Sequence, residues 1–431
     1  MTASFPNVAV ALIGLLLLLT GGPANGKPLP SVKPERVGMS SERLARIPEY
    51  MSRKYIESDK LSGVLTLVAR EGKVVHFEAV GQRGLVDDRQ LTTDALFRIY
   101  SMTKPITAVA AMMLYEEGHF QLSDPITRWL PELADLKVLT PDGEVAPERP
   151  ITMHHLLTHT AGFSYGFSPT DPLDARYREA RLLEAKDLDD FVARVATLPL
   201  MFQPGTRWHY SIAVDLTGLI IQRISGQRFD VFLKERIFEP LGMEDTFFQV
   251  PEDKLERLLP NHAWDAGRAQ QVPYDLDAAE RFLDVSFHSG GGGLISTAMD
   301  YLKFAEMLRS GGAFNGARLL SPKTIDFMTK NHLPKSLSAG GTGEAPTGGA
   351  FEPGRAFGLG FGVIADVPAS GVIGSRGDYY WGGAAGTVFW IDPVEETITI
   401  GMIQQMVSPW RLRADLKVLI NQSLLESYAG D

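Results

Sequence analysis

Ser101 and Lys104, three positions apart in Ser101-Met102-Thr103-Lys104, are the residues whose types and spacing most directly suggest chemistry. On a helix, side chains three apart share a face, so this hydroxyl and this amine can come within hydrogen-bond reach. An unaided serine is a poor nucleophile and needs a base. A lysine can serve when burial disfavours its ammonium form. The tetrapeptide lies between a strand-like run ending near Ile99 and an apolar run, Met102 to Tyr115, that stops near Gly118. The serine therefore falls at a helix N-terminus, where unpaired N–H groups and the helix dipole favour an alkoxide and a developing oxyanion.

A second serine competes. Gly162-Phe163-Ser164-Tyr165-Gly166 fits the G-x-S-x-G nucleophile elbow, with His209, His262, His288 and His332 downstream as nominal partners. An elbow needs a buried strand before it and a helix directly after. Here Ile151 to Thr160 reads as a helix and Ser168 to Pro172 as a loop, so Ser164 is read as a loop residue whose aromatic neighbours line a pocket. His154, His155 and His159 include an i, i+4 pair, but no Glu sits between them as the H-E-x-x-H zinc site requires. They read as helix-end histidines bonded to the Thr160-Ala161-Gly162 loop. No metal, cofactor or nucleotide site is expected.

The elements that must position Ser101 follow from periodicity. Ser40 caps an amphipathic helix through about Tyr55, with Leu44, Ile47 and Met51 on one face. Gly63 to Ala69, Val74 to Val80 and Leu96 to Ile99 read as strands, the first two joined by a hairpin at Glu71-Gly72-Lys73. Leu122 to Asp284 reads as helices and Pro-containing loops. Strand patterns return at Phe361 to Ala365, Gly386 to Ile391 and Thr397 to Met402, and Trp410 to Tyr428 closes as a helix. The resulting expectation is a discontinuous α/β domain over 27–105 and 286–431 enclosing a mostly helical subdomain over 106–285. Lys335 to Gly354 reads as a loop and Ser289 to Gly293 as a permissive turn.

The 431-residue chain, with net charge −10 and no cysteine, excludes thiolate catalysis and disulfides and argues against a nucleic-acid partner. Val8 to Leu19 is an apolar run of signal-peptide size followed by small residues up to Gly26, although no Lys or Arg precedes Lys27. It predicts a signal peptide over 1–26 and an exported protein, periplasmic or secreted, with a membrane anchor as the alternative. No other stretch is long and apolar enough to span a bilayer.

Ser101-Met102-Thr103-Lys104, Leu156 to Gly162, Tyr210-Ser211 and Trp381 to Thr387 together resemble the serine β-lactamase and penicillin-binding-protein superfamily, and within it the family VIII carboxylesterases. The resemblance spans about residues 35 to 425. It implies a β-lactamase/transpeptidase-like fold: an antiparallel sheet flanked by helices plus a mostly helical subdomain. It also implies Ser101 as the acylated nucleophile, Lys104 as its helix partner and Tyr210 as the phenol poised to act as general base. A third box, Trp381-Gly382-Gly383, would lie on an edge strand facing the nucleophile, with the N–H groups of Ser101 and Ala384 as oxyanion hole. Motif adjacency adds Phe163, Tyr165 and Tyr379 to the pocket wall. His288-Ser289-Gly290, a competing third box, is set aside as a loop.

Two positions depart from the lactam-cleaving pattern. Ile212 stands where an Asn is usual, and Trp381 replaces a cation that would meet a lactam carboxylate. Both shift the expected substrate from anionic lactams toward neutral esters. The expectation is a serine carboxylesterase acting on short-to-medium acyl esters, with weak cephalosporin cleavage at most. The alternatives are a β-lactamase or D-alanyl-D-alanine carboxypeptidase, or a non-catalytic protein on the same fold.

Overall fold

A computed structural model describes residues 29–274, 282–334, 337 and 353–429. The expected signal peptide over 1–26 lies outside these residues, as does most of the Lys335 to Gly354 loop. Among the described residues, no helix is long and apolar enough to cross a membrane.

Seven strands make one antiparallel sheet: β1 (Gly63–Arg70), β2 (Lys73–Gly81), β3 (Arg355–Phe357), β4 (Gly362–Ile364), β5 (Tyr379–Gly382), β6 (Val388–Asp392) and β7 (Thr397–Met402). Their order across the sheet is β3-β4-β5-β6-β7-β1-β2. The chain thus leaves the sheet after β2 and returns beside β1 through β7, with Leu65 opposite Met402 and Arg70 opposite Thr397. The β1–β2 hairpin turns on Glu71 and Gly72, both with positive φ, the turn geometry that matches strand twist.

Period-two alternation gives the sheet two apolar faces. Val64, Val68, Tyr380 and Trp390 face α1 (Arg46–Met51) and, from the far end of the chain, Leu412, Leu416 and Ile420 of a C-terminal helix. Leu65, Leu67, Phe389 and Ile391 face the opposite way into the main core. That core holds α2 (Thr103–Glu116), α3 (Ala213–Ser225) and α4 (Ala298–Arg309), with the Tyr301 ring 4.9 Å from Phe389. The C-terminal helix, α5 (Leu412–Asn421), is shorter than the Trp410 to Tyr428 expected. Every residue of α2 from Thr103 to Leu114 is buried, with α3 packed along it. An apolar run on all faces is what such a position demands.

Several elements differ from the sequence expectation. Leu96 to Ile99 shrinks to Phe97–Arg98, which pairs outside the main sheet with Ile295–Ser296. That small ladder brings the Ser289 to Gly293 turn to the start of α2. Ile151 to Thr160 is helical only over Met153–Leu157. Two hairpins in the helical middle, Val138–Thr140 with Gly143–Val145 and His262–Asp265 with Gln270–Pro273, carry strands too short for alternation to show.

Candidate active site

Ser101 sits on a 3-10 turn, Tyr100–Met102, that runs directly into α2. Tyr100 adopts a left-handed φ of 41°, a conformation costing about 1–2 kcal/mol for a residue with a side chain. Two bonds hold it there: Met102 N donates to Ile99 O at 2.9 Å, and Asn261 Nδ2 donates to the Tyr100 hydroxyl at 2.6 Å. The turn leaves Ser101 half-buried at the helix entrance while Lys104, one turn on, is buried.

The surroundings of Lys104 can be accounted for bond by bond. Its Nζ stands 2.7 Å from the Gly291 carbonyl, 3.0 Å from the Tyr165 hydroxyl and 3.3 Å from Ser101 Oγ. The carbonyl only accepts. The Tyr165 hydroxyl donates its single proton to Asp215 Oδ2 at 3.0 Å, so its oxygen also accepts from Lys104. In a neutral amine those two acceptors take both N–H bonds, and the lone pair is left for the Ser101 proton. Burial brings the Lys104 pKa down to about 7, against an opposing pull from the Asp215 carboxylate. Asp215, within α3, is fixed in turn by Ser289 Oγ and by Gly291 N at 3.0 Å.

Tyr210 approaches from the other side, its hydroxyl donating to Ser101 Oγ at 2.6 Å. Burial holds this phenol well above its ordinary pKa, so it is protonated at neutral pH. Beneath it His159, buried with φ 55°, accepts the Ser211 N–H at 3.2 Å on Nδ1 and places its ring 4.9 Å from Tyr210. His159 is therefore anchored to Ser211 and not to the Thr160-Ala161-Gly162 loop expected for it.

The third box lies close to this pair. Trp381 packs its ring 5.6 Å from Tyr210. Its strand is not a sheet edge: β4 lies beyond β5 but pairs only with Tyr379 and Tyr380, so the edge is open just at Trp381 and Gly382. A Cβ on Gly383 would fall 2.4 Å from the Ile99 carbonyl, so glycine is what lets this backbone press against the segment leading into Ser101. Ala384 is exposed at the following turn.

Ser101, Lys104, Tyr210, Trp381 and Gly383 thus come together, and Tyr165 joins them as a hydrogen-bonding member of the network; Gly382, on the same strand, faces Arg413 and Val388 instead. Phe163 and Tyr379 do not join them either. Phe163 is buried in the core, and Tyr379 packs below the sheet 5.6 Å from Phe361. Ser164 is fully buried and bonded to the Asp174 carboxylate, with His209 Nε2 at 3.2 Å, which leaves it without access to a substrate. The described residues hold no cluster of three or more metal-ligating side chains.

The Beta-lactamase family model matches residues 49–422. The chain belongs to that family. Among its relatives is Protein Rv1367c of Mycobacterium tuberculosis, 37% identical over 82% of this chain and 88% of that protein. Esterase EstB of Burkholderia gladioli is 30% identical over 84% of this chain and 91% of its own. The solved structure of EstCE1, described as a hydrolase with promiscuous acyltransferase activity, superposes with a TM-score of 0.74 at 25% identity, covering 89% of this chain and 99% of EstCE1. This beta-lactamase family member is a serine hydrolase of the family VIII esterase type.

Sequence reasoning missed three parts of its site. Asp215 was one acid in the apolar run Ala213 to Ile221, and a charge at a buried helical position was the signal available. Gly291 belonged to a turn read for its permissive backbone, with no bond to Lys104 assigned to it. Phe167, 58% exposed, stacks on Tyr165 at 5.0 Å and lies 6.5 Å from Tyr210.

Proposed function

We propose that this beta-lactamase family member is a carboxylesterase that hydrolyses neutral esters of short to medium acyl chains through an acyl-enzyme on Ser101. The order of hydrogen bonds around Lys104 carries the reading. With Gly291 O and Tyr165 OH occupying both N–H bonds, the amine lone pair accepts the Ser101 proton as Oγ attacks the ester carbon. The Ser101 and Ala384 N–H groups receive the carbonyl oxygen as it gains charge. Collapse breaks the bond to the alcohol oxygen, which takes the Tyr210 proton, and the Lys104 ammonium restores it. Water then retraces the same steps to release the acid and free Ser101.

Sequence reasoning made Tyr210 the base. Its raised pKa and the lowered pKa of Lys104 support the opposite division of labour: Lys104 removes the proton and Tyr210 delivers one to the leaving group. Ile212, buried beside the site, offers no amide to a peptide-like substrate, and Trp381 offers no cation to a carboxylate. Cephalosporin cleavage is accordingly expected to be weak. The test is a chain-length series of p-nitrophenyl esters run beside a chromogenic cephalosporin, on wild type and Ser101→Ala. Ester turnover peaking at short to medium chains and lost in Ser101→Ala supports the reading; turnover retained by Ser101→Ala, or cephalosporin preferred over esters, overturns it.

A further inference from the structure

The Gly162 to Gly166 motif, set aside as a nucleophile, has a different use. Its loop is clamped at several points. The Ser164 hydroxyl donates to Asp174, whose other oxygen accepts Ser168 N at 2.7 Å. Arg178 Nη1 donates to the Gly166 carbonyl at 2.9 Å and also to the Ser168 carbonyl. Gly166 turns the chain with φ 78°, and a Cβ there would fall 2.9 Å from the Asp174 carbonyl. The carbonyls of the residues on either side of Phe167, Gly166 and Ser168, are thus held by one guanidinium. Phe167, 58% exposed, has Tyr165 stacked against it and leaves much of its own surface open at the site.

That position lies beside the acid of the reaction. The Phe167 ring stacks on Tyr165 at an interplanar angle of 16° and lies over Tyr210 at 27°. On the mechanism above, the Tyr210 hydroxyl meets the departing alcohol oxygen, so the group attached to that oxygen extends along the Tyr210 side of the cleft. The acyl chain leaves the carbonyl carbon in another direction. We propose that Phe167 is the specificity-determining wall for the alcohol part of the ester, selecting planar aryl alcohols over small alkyl ones, with the Ser164–Asp174–Arg178 clamp as the device that positions it. The inference rests on the assignment of Ser101 and Tyr210.

The test compares wild type, Phe167→Ala and Phe167→Leu on two series: ethyl, phenyl and 1-naphthyl butyrate, and p-nitrophenyl acetate, butyrate and octanoate. The intrinsic advantage of an aryl leaving group is common to all three proteins and cancels. Phe167→Ala is expected to lower the phenyl-to-ethyl ratio of kcat/KM by about 3- to 10-fold, the size of one aromatic pair, mainly through KM, with Phe167→Leu between. The octanoate-to-acetate ratio should hold. If Phe167→Ala is too impaired to assay, Phe167→Leu decides by the same ratios. An unchanged aryl-to-ethyl ratio, or a shifted acyl-length ratio alone, overturns the proposal. Turnover by Ser101→Ala would instead remove the assignment beneath it, a separate outcome.

Discussion

Lys104 Nζ stands 3.3 Å from Ser101 Oγ with its other two hydrogen-bonding directions already committed to acceptors. On the proposed mechanism, this relationship is what makes the S-x-x-K tetrapeptide a base and a nucleophile. It needs three distant segments: the start of α2, the Gly291 turn and the loop bearing Tyr165.

The first prediction concerns pH. A buried lysine with a pKa of about 7 is a competent base only above that pH. The folded value lies below the free one, so the neutral amine, and with it kcat/KM, is lost as pH falls through about 7. The pH profile of p-nitrophenyl butyrate hydrolysis should rise with unit slope below this value and level off above it; an acidic limb near 4 would point to a carboxylate instead.

The second prediction fixes the role of Asp215. Its charge raises the Lys104 pKa, so Asp215→Asn should move the acidic limb to lower pH while lowering the plateau through loss of the Tyr165 tether. A limb that stays in place, or moves up, would show that the carboxylate is not coupled to the base.

Tyr210→Phe supplies the third. Removing the donor 2.6 Å from Ser101 Oγ should reduce kcat/KM by about 10²–10⁴-fold, the usual worth of a positioned acid or base. The loss should be larger for ethyl butyrate than for p-nitrophenyl butyrate, because p-nitrophenolate departs without needing a proton. Equal losses on both esters would remove the leaving-group role.

Much of this site was legible in local sequence, and the reason is geometric. Ser101 and Lys104 are one helical turn apart, and Tyr210 and Trp381 sit in short motifs whose neighbours are small or turn-forming. The sheet was legible for the same reason, since β1, β2, β6 and β7 alternate or run apolar over five residues or more. What was not legible depends on convergence. Asp215 and Gly291 reach the Lys104 environment only because α3 and the 289–293 turn, far apart in sequence, pack against each other beside it. Adjacency in a motif did not imply adjacency in the cleft: Phe163 enters the core, while Phe167, four residues later, reaches the mouth.

A fourth prediction addresses close approach of the backbone. Gly383→Ala places a Cβ 2.4 Å from the Ile99 carbonyl and 2.3 Å from Thr387 Oγ1, so the third box must move away from Ser101. Stability should fall by about 1–3 kcal/mol and kcat by more than KM changes, read by thermal unfolding and ester kinetics together. Wild-type values for both would mean that this contact does not position the cleft.

The most direct test of the central claim is the site of acylation. Brief incubation with a fluorophosphonate or a slowly hydrolysed p-nitrophenyl ester, followed by intact-mass and peptide mass spectrometry, should show one adduct on Ser101, formed faster above pH 7 and absent in Ser101→Ala. An adduct on Ser164, Ser289 or any other residue, or full labelling of Ser101→Ala, would contradict the account.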